Sequence, residues 1–209
     1  MKKHTIAKSI PSGIKEELKA YSELTQILLF NRDITTIDKA EIFLNPDYER
    51  DTHDPFLILG MEKSVERILK AIKNKEKIVI YGDYDCDGIP GSVVLHDFFK
   101  KIEYTNFENY IPHRHKEGYG LHMHAIEQFA KDKVTLVITV DCGITNVEEV
   151  KRAGELGIDV IITDHHLPHR QEKNKKEILP PAYAILNSKQ ENDDYPDDML
   201  CGAGVAWKL

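Results

Sequence analysis

The stretch IVIYGDYDCDG, residues 78–88, decides the fold of this chain, because a short apolar run passes directly into a cluster of carboxylates. Two further apolar runs end in the same way, within residues 136–141 and 160–166. Short runs rich in Val and Ile are typical of strands that are buried on both faces. Helical patterns separate these runs, which predicts an α/β domain with a mostly parallel sheet and helices on both faces.

Metal-binding side chains follow each of the three predicted strands. In parallel sheets the chemistry collects beyond the carboxyl ends of the strands, so we expect these groups to meet at one edge. Carboxylates held together repel one another unless cations neutralise them, which indicates a divalent metal site with two ions. The candidate residues are Asp83, Asp85, Asp87, Asp141, Asp164, His165 and His166.

Length and charge set the domain plan. The 209 residues, 41% of them hydrophobic, suit one α/β domain with a small extra segment. We therefore divide the chain into a helical arm, 1–55, and a main domain, 56–209. The net charge of −7 argues against a general coat for nucleic acid, but it leaves room for a local basic groove.

The three cysteines form no CxxC pair, and an odd, sparse count predicts a reducing compartment, the cytoplasm. The sequence shows neither a signal peptide nor an apolar stretch of transmembrane length, so we expect no membrane partner.

The acidic motif has a second interpretation, since residues 83–88 match the start of a calcium EF-hand loop. An EF-hand needs a bidentate Glu at loop position twelve, and that position is Val94. An apolar strand, not a helix, precedes the motif. A DxD pair at a strand end, feeding phosphoryl-transfer chemistry, explains both flanks better.

The other two clusters also allow simpler interpretations. Asp141 alone could cap a helix that starts near Asn146, and paired histidines in a surface turn are often incidental. Their position directly after buried strands favours function. One imidazole would bind metal, the other would hydrogen-bond a phosphate oxygen, and Asp164 would orient an imidazole from behind.

A basic, glycine-containing loop, residues 110–120, follows another predicted strand. Arg114 could bind a phosphate through two parallel hydrogen bonds, and Tyr119 could stack on a base. Together with Gly118 they are the candidate substrate-binding residues, although a plain surface turn would explain each alone. The histidines of the region, His113, His115, His122 and His124, are interpreted as solvent-facing or structural.

A basic amphipathic helix is predicted over 61–73. Its apolar positions, among them Leu69, are expected to face the core, and its basic positions, among them Arg67, to face solvent. Residues 169–180 are expected to be charged and irregular.

Five motifs occur in a fixed order, and together they resemble the DHH phosphoesterases, most closely the single-strand-specific exonucleases of that family. They are GDYDCDG (82–88), YIPHRHKEGYGL (110–121), VDCGI (140–144), DHHLP (164–168) and LCGAGVAWKL (200–209).

This resemblance implies two Mn²⁺ or Mg²⁺ ions and 5′-to-3′ degradation of single-stranded DNA in repair and recombination, with a single-strand-binding protein as a further partner. Its implied metal ligands are Asp83, Asp85, Asp141 and His165. Asp141 would bridge the ions, His166 would contact the scissile phosphate, and Arg114 would bind a phosphate near the 5′ end.

In the family, a further ligating Asp and a second domain follow the helix that opens at Gly202, whereas this sequence ends at Leu209. We therefore expect a fragment of a longer protein or a shortened one. Two alternatives stay open: a small-nucleotide phosphodiesterase or pyrophosphatase with the same metal site, and a nucleic-acid-binding fragment that does not cut. The basic loop around Arg114 favours a polymeric substrate.

Overall fold

The computed structural model describes residues 9–173 and 175–209; residues 1–8 of the predicted arm and Asn174 lie outside this description. The chain divides into two compact units between Thr52 and His53. Of the helices in the described ranges, none is both long and apolar enough to cross a bilayer.

The elements alternate between helix and strand through most of the second unit. The helices are α1 (Ser12–Glu17), α2 (Glu23–Phe30), α3 (Ile37–Leu44), α4 (Tyr48–Asp51), α5 (Met61–Asn74), α6 (Gly88–Lys101), α7 (Met123–Lys131), α8 (Val147–Glu155) and α9 (Gly202–Lys208), with a 3₁₀ turn at Pro55–Leu57. The strands are β1 (Lys77–Gly82), β2 (Phe107–Tyr110), β3 (Val134–Val140), β4 (Asp159–Thr163), β5 (His169–Arg170), β6 (Glu177–Ile178) and β7 (Ala184–Leu186).

Five strands form one sheet in the order β2-β1-β3-β4-β7, and every neighbouring pair is parallel. Apolar residues of α7 and α8 pack on one face of this sheet, and those of α5, α6 and α9 pack on the other. Side chains of β1, β3 and β4 alternate between the two cores, which is why these strands are apolar throughout. The predicted fold class is confirmed.

The strand order reverses between β1 and β3, and such a reversal opens a crevice beyond the strand ends. Gly82, the last residue of β1, lies opposite Val140, the last residue of β3. The backbone N–H of Asp83 then donates to the carbonyl of Val140 at 3.1 Å. The DxD segment therefore begins at the mouth of that crevice.

The same alignment continues to the next strands. Val140 lies opposite Thr163, and the backbone N–H of Asp141 donates to the carbonyl of Thr163 at 2.9 Å. The backbone N–H of Asp164 donates to the carbonyl of Leu186 at 3.0 Å. Residues that are far apart in sequence are thus placed in one row along the sheet edge.

The first unit consists of short helices around a small apolar cluster of its own, in which Leu18, Leu29 and Ala40 are buried. Side-chain hydroxyls cap two of these helices: Ser22 accepts from the N–H of Thr25, and Thr36 accepts from the N–H of Lys39.

The expectation of an irregular segment over 169–180 is wrong in part, because β5 and β6 pair as an antiparallel ribbon. Strands of two residues are too short to show a periodic pattern. Arg170 holds the ribbon by ion pairs with Glu191, at 2.6 Å, and with Glu177, at 3.9 Å.

The predicted faces of α5 are also wrong at two positions. Arg67 is 4% exposed, whereas Leu69 is 58% exposed. The guanidinium lies beneath the amino ends of the strands and pairs with Glu76 at 2.7 Å and with Asp159 at 2.5 Å. A buried cation is tolerated because two carboxylates and a backbone carbonyl receive its hydrogen bonds.

Arg67→Leu should lower the free energy of unfolding by about 3 kcal/mol, the low end for breaking a buried ion pair, because Asp159 stays partly exposed. Chemical denaturation measures this loss, and Lys70→Leu, at an exposed position of the same helix, serves as the control. Equal stability of the two variants would show that the ion pairs of Arg67 do not support the domain.

Candidate metal centre

Asp83 follows β1 directly, and its side chain is almost completely buried, with 2% of the residue exposed. Its Oδ1 atom has no hydrogen-bond partner among the described residues. Burial raises the pKa of the carboxyl above its ordinary value. A buried carboxylate oxygen without a donor is costly, so this atom is suited to a cation.

Asp85 lies in the turn that joins β1 to α6. Its Oδ1 accepts hydrogen bonds from the backbone N–H groups of Asp87, at 2.8 Å, and Gly88, at 3.0 Å. Burial works against ionisation of Asp85, but these N–H groups outweigh it and lower the pKa. A Cβ at position 88 would lie 2.4 Å from the carbonyl oxygen of Asp83, so the tight turn requires glycine.

Asp141 is the central residue of the cluster. It is 1% exposed, and its backbone adopts φ = +63°, a left-handed conformation that is uncommon outside glycine. Burial, a hydrogen bond with Asp85 and the negative charge of that neighbour raise the pKa of Asp141 to about 8. It does not cap α8, because the residue that precedes this helix is Asn146.

His165 extends toward the same carboxylates. Its Nε2 atom lies 3.1 Å from Oδ1 of Asp141 and 3.6 Å from Oδ2 of Asp87. Burial, together with the positive charge on His166, lowers the pKa of His165 and favours the neutral imidazole. A neutral imidazole can bind metal through its free nitrogen.

Asp164 is fully buried and organises the turn from behind. Its Oδ1 accepts from the backbone N–H groups of His165, at 2.7 Å, and His166, at 3.1 Å, while Oδ2 accepts from the N–H of Ile144 at 2.9 Å. Oδ1 also lies 2.8 Å from Nδ1 of His166. This hydrogen bond raises the pKa of His166 and fixes the direction of its ring.

Two overlapping groups of side chains could each hold a cation. Asp83, Asp85 and Asp141 form one, and Asp141, His165 and His166 form the other; within each group, ligand atoms lie within 4.8 Å of one another. Asp141 belongs to both. Its Oδ1, 3.1 Å from the imidazole nitrogen, is buried without a hydrogen-bond partner in the described chain.

The spacing and the chemistry of these ligand atoms fit a site for divalent metal ions. Two ligand atoms at right angles around an ion, each about 2.1 Å away, are separated by about 3 Å. Carboxylate oxygens are the protein ligands that suit Mn²⁺ and Mg²⁺, and imidazole is a common ligand of transition-metal ions. The lone pairs that face each other in this cluster are therefore the natural environment of cations.

The predicted substrate residues lie around the cluster. The guanidinium of Arg114 stacks 4.4 Å from the ring centre of Tyr84 and donates to the Tyr84 carbonyl at 3.2 Å, beside the DxD turn. The hydroxyl of Tyr119 donates to the backbone carbonyl of Asp141 at 3.1 Å and lies 3.0 Å from Nδ1 of His166. The Tyr119 hydroxyl thus helps to hold the His166 ring, while stacking of Tyr119 on a base stays a prediction.

Gly118 adopts φ = +87° and bends this loop, and its carbonyl lies 3.2 Å from Nε2 of His122. No contact joins it to the carboxylate cluster within the part of the chain that the structure describes. Its candidate role is conformational.

Two residues that sequence reasoning did not single out belong to the site. A Cβ at Gly202 would lie 2.4 Å from Oδ1 of Asp141, and the Gly202 N–H donates to Oδ2 of Asp87 at 3.3 Å. Asn187, fully buried, donates from Nδ2 to the carbonyl of His166 at 2.9 Å. The glycine-rich start of α9 was visible in the sequence, but its contact with Asp141 depends on the fold.

An α/β sheet with a carboxylate and imidazole cluster at its carboxyl edge is the arrangement of a domain suited to binding divalent metal. The family model for the DHH family, N-terminal domain, matches residues 77–209. The chain therefore belongs to the DHH family, and the resemblance stated from the motifs is confirmed.

Curated relatives are single-stranded-DNA-specific exonucleases named RecJ. The protein from Bacillus subtilis is 44% identical over 187 residues, which cover 89% of this chain and 22% of the relative. The protein from Escherichia coli is 35% identical over 150 residues, covering 72% of this chain and 25% of the relative. This chain thus spans about a quarter of the length of these relatives.

Solved structures agree on the fold. The crystal structure of exonuclease RecJ bound to manganese matches with 31% identity and a TM-score of 0.63, over 72% of this chain and 36% of that one. RecJ from Thermus thermophilus in complex with Mn²⁺ matches with a TM-score of 0.65 over 94% of this chain and 26% of that one, at 23% identity.

Asp141→Asn should raise the stability of the metal-free protein and abolish its stabilisation by Mn²⁺. A folded-state pKa of about 8, above the ordinary value of about 4, means that stability falls as pH rises from 4 to 8, and Asn removes this loss. Asparagine also tolerates the left-handed backbone.

Thermal denaturation at pH 5 and pH 8, with and without Mn²⁺, measures both effects. At pH 8 we expect a rise of about 3 °C or more for the metal-free variant, since about 1 kcal/mol shifts a domain of this size by 2–4 °C. Asp97→Asn, on the exposed side of α6, is the control. A variant that is still stabilised by Mn²⁺ would remove Asp141 from the metal centre.

Proposed function

We propose that this chain is the metal-dependent catalytic domain of an exonuclease that degrades single-stranded DNA from 5′ to 3′. The observation that carries the proposal is a pair of buried carboxylate oxygens on Asp83 and Asp141, beside Asp85 and His165, that have no hydrogen-bond partner within residues 9–173 and 175–209. The relatives named as single-stranded-DNA-specific exonucleases support the choice of substrate.

Asp83, Asp85, Asp141 and His165 would hold two Mn²⁺ or Mg²⁺ ions, with Asp141 shared between them. Bound there, the ions would supply charge that stabilises the phosphoryl oxygens and lowers the pKa of an attacking water molecule. Asp87 and Asp164 act behind these ligands: Asp87 lies near His165, and Asp164 fixes the backbone of both histidines.

His166 is proposed to contact the scissile phosphate. Asp164 and Tyr119 occupy the Nδ1 side of its ring, which leaves Nε2 on the opposite side for a phosphate oxygen. Because Asp164 raises its pKa, the imidazole holds a proton more readily. A positioned N–H donor of this kind stabilises charge that develops in the transition state.

Arg114 is proposed to bind a backbone phosphate of the DNA near its 5′ end. Its fork of N–H donors matches two phosphate oxygens, and Tyr84 supports the guanidinium plane. Phosphate contacts fix the register of a strand without reading its bases, so little sequence preference is expected. In the cell we place this activity in cytoplasmic DNA repair and recombination, with a single-strand-binding protein as a partner.

His166→Gln should lower kcat for Mn²⁺-dependent hydrolysis of a labelled single strand by about 10²–10³-fold, the loss typical of one transition-state donor. Its Mn²⁺ affinity should stay close to that of the wild type, whereas Asp141→Ala should remove both metal binding and product formation. His53→Gln, at an exposed histidine outside the site, is the control.

Product analysis separates the rival functions. Faster turnover of dinucleotides than of long strands would favour a small-nucleotide phosphodiesterase. Binding of single strands without any metal-dependent product would favour a module that does not cut. Either result would overturn the proposed exonuclease activity of this chain.

A further inference from the structure

The charged side chains along the carboxyl edge of the sheet follow an order that the metal site alone does not explain. The three central strands, β1, β3 and β4, lead into the carboxylates and histidines. The two outer strands lead into basic residues: β2 precedes the loop with Arg114, and β7 precedes the turn from Asn187 to Gln190, which contains Lys189.

This turn is built firmly onto the histidine segment. The Asn187 amide donates to the carbonyl of His166 at 2.9 Å, and Asn187 Oδ1 accepts from the backbone N–H of Lys189, also at 2.9 Å. Gln190, 7% exposed, donates from Nε2 to the Asn187 carbonyl at 3.2 Å. A turn with buried amides on both sides presents Lys189 from a fixed backbone.

Lys189 is half-buried, and it differs in its partners from two arginines of this domain. Buried Arg67 and half-buried Arg152 each pair with two carboxylates, whereas the Lys189 ammonium has no ion pair with any carboxylate in the ranges 9–173 and 175–209. In an acidic neighbourhood, a half-buried lysine without an ion pair is free to bind an anion.

The strand order also places this turn beside the two histidines. Strand β7 is the neighbour of β4, whose end leads into His165 and His166, and the hydrogen bond from Asn187 to the His166 carbonyl joins the two segments. Lys189, two residues after Asn187, therefore belongs to the β7 side of the cluster.

We infer that Lys189 binds a phosphate of the DNA strand on the β7 side of the metal centre, while Arg114 binds a different phosphate on the β2 side. This inference rests on the proposed function and adds the path of the substrate to it. Lysine suits this role because its ammonium group offers three donors to a phosphate at variable angles.

The order of the strands gives the direction of that path. Four spacings of about 4.8 Å separate the backbones of β2 and β7, and the Arg114 guanidinium reaches inward from the β2 side to Tyr84, beside the DxD turn. A single strand that contacts both Arg114 and Lys189 therefore passes over Asp141 and His165, which follow the strands between them. The two phosphate-binding residues thus lie on opposite sides of the proposed metal centre.

Lys189→Ala tests the inference with the full chain and a fluorescein-labelled 12-nucleotide thymidine strand. In Mn²⁺ we expect the KM to rise about tenfold and kcat to stay within twofold, with Mn²⁺ affinity unchanged. Because one phosphate contact is lost, the slope of log affinity against log salt concentration should fall in magnitude by about 0.7. Lys189→Arg should restore most of the affinity.

Two further variants sharpen the result. Lys151→Ala removes an equal charge from the exposed side of α8 and should leave KM unchanged. In the double variant Arg114→Ala/Lys189→Ala the two increases in KM should multiply, since contacts to separate phosphates at distant residues are independent. A combined effect no larger than that of either single change would mean one shared phosphate and would overturn the inference.

The outcomes also separate this inference from the proposed function. Wild-type protein that makes no product from the strand would overturn the exonuclease proposal, and binding of the same strand by fluorescence anisotropy would then decide the role of Lys189. Equal binding by Lys189→Ala and Lys151→Ala would overturn the inference in either case. So would loss of Mn²⁺ affinity in Lys189→Ala, which would make it a residue that supports the metal centre.

Discussion

Repulsion between carboxylates at the ends of adjacent parallel strands is the constraint on which this structure depends. The register of β1 with β3 places Asp83 and Asp141 at neighbouring positions, and Asp85 adds a third negative group. Backbone N–H groups offset the charge of Asp85, but one buried oxygen of Asp83 and one of Asp141 have no donor among the residues that the structure describes. The metal-free protein accommodates this by keeping a proton on Asp141, at a cost that cations would remove.

The surrounding structure holds the repelling groups in place. Large apolar cores on both faces fix the sheet. Gly88 lets the turn pack against the backbone of Asp83, and Gly202 lets the start of α9 approach the Asp141 carboxylate, where a Cβ would clash. Asp141 itself takes a left-handed backbone conformation. An uncommon backbone conformation of this kind costs free energy, which the rest of the fold must offset. Such conformations are expected at sites that are organised in advance for a ligand.

Much of this could be predicted from the sequence, because continuous Val and Ile runs define buried strands and the acidic motifs directly follow them. The parallel sheet and the meeting of Asp83, Asp141 and His165 followed from that pattern. The buried position of Arg67 could not be predicted, since its partners Glu76 and Asp159 come from other elements. The contact of Tyr119 with His166 could not be predicted either, because it joins two loops that are far apart in the sequence.

Anomalous diffraction from crystals grown with Mn²⁺ locates each bound ion independently of activity. We expect two manganese peaks at the carboxyl edge of the sheet. One would lie among Asp83, Asp85 and Asp141, and the other beside Asp141 and His165. A single ion that does not touch Asp141, or manganese bound only elsewhere on the surface, would contradict a two-metal centre shared at Asp141.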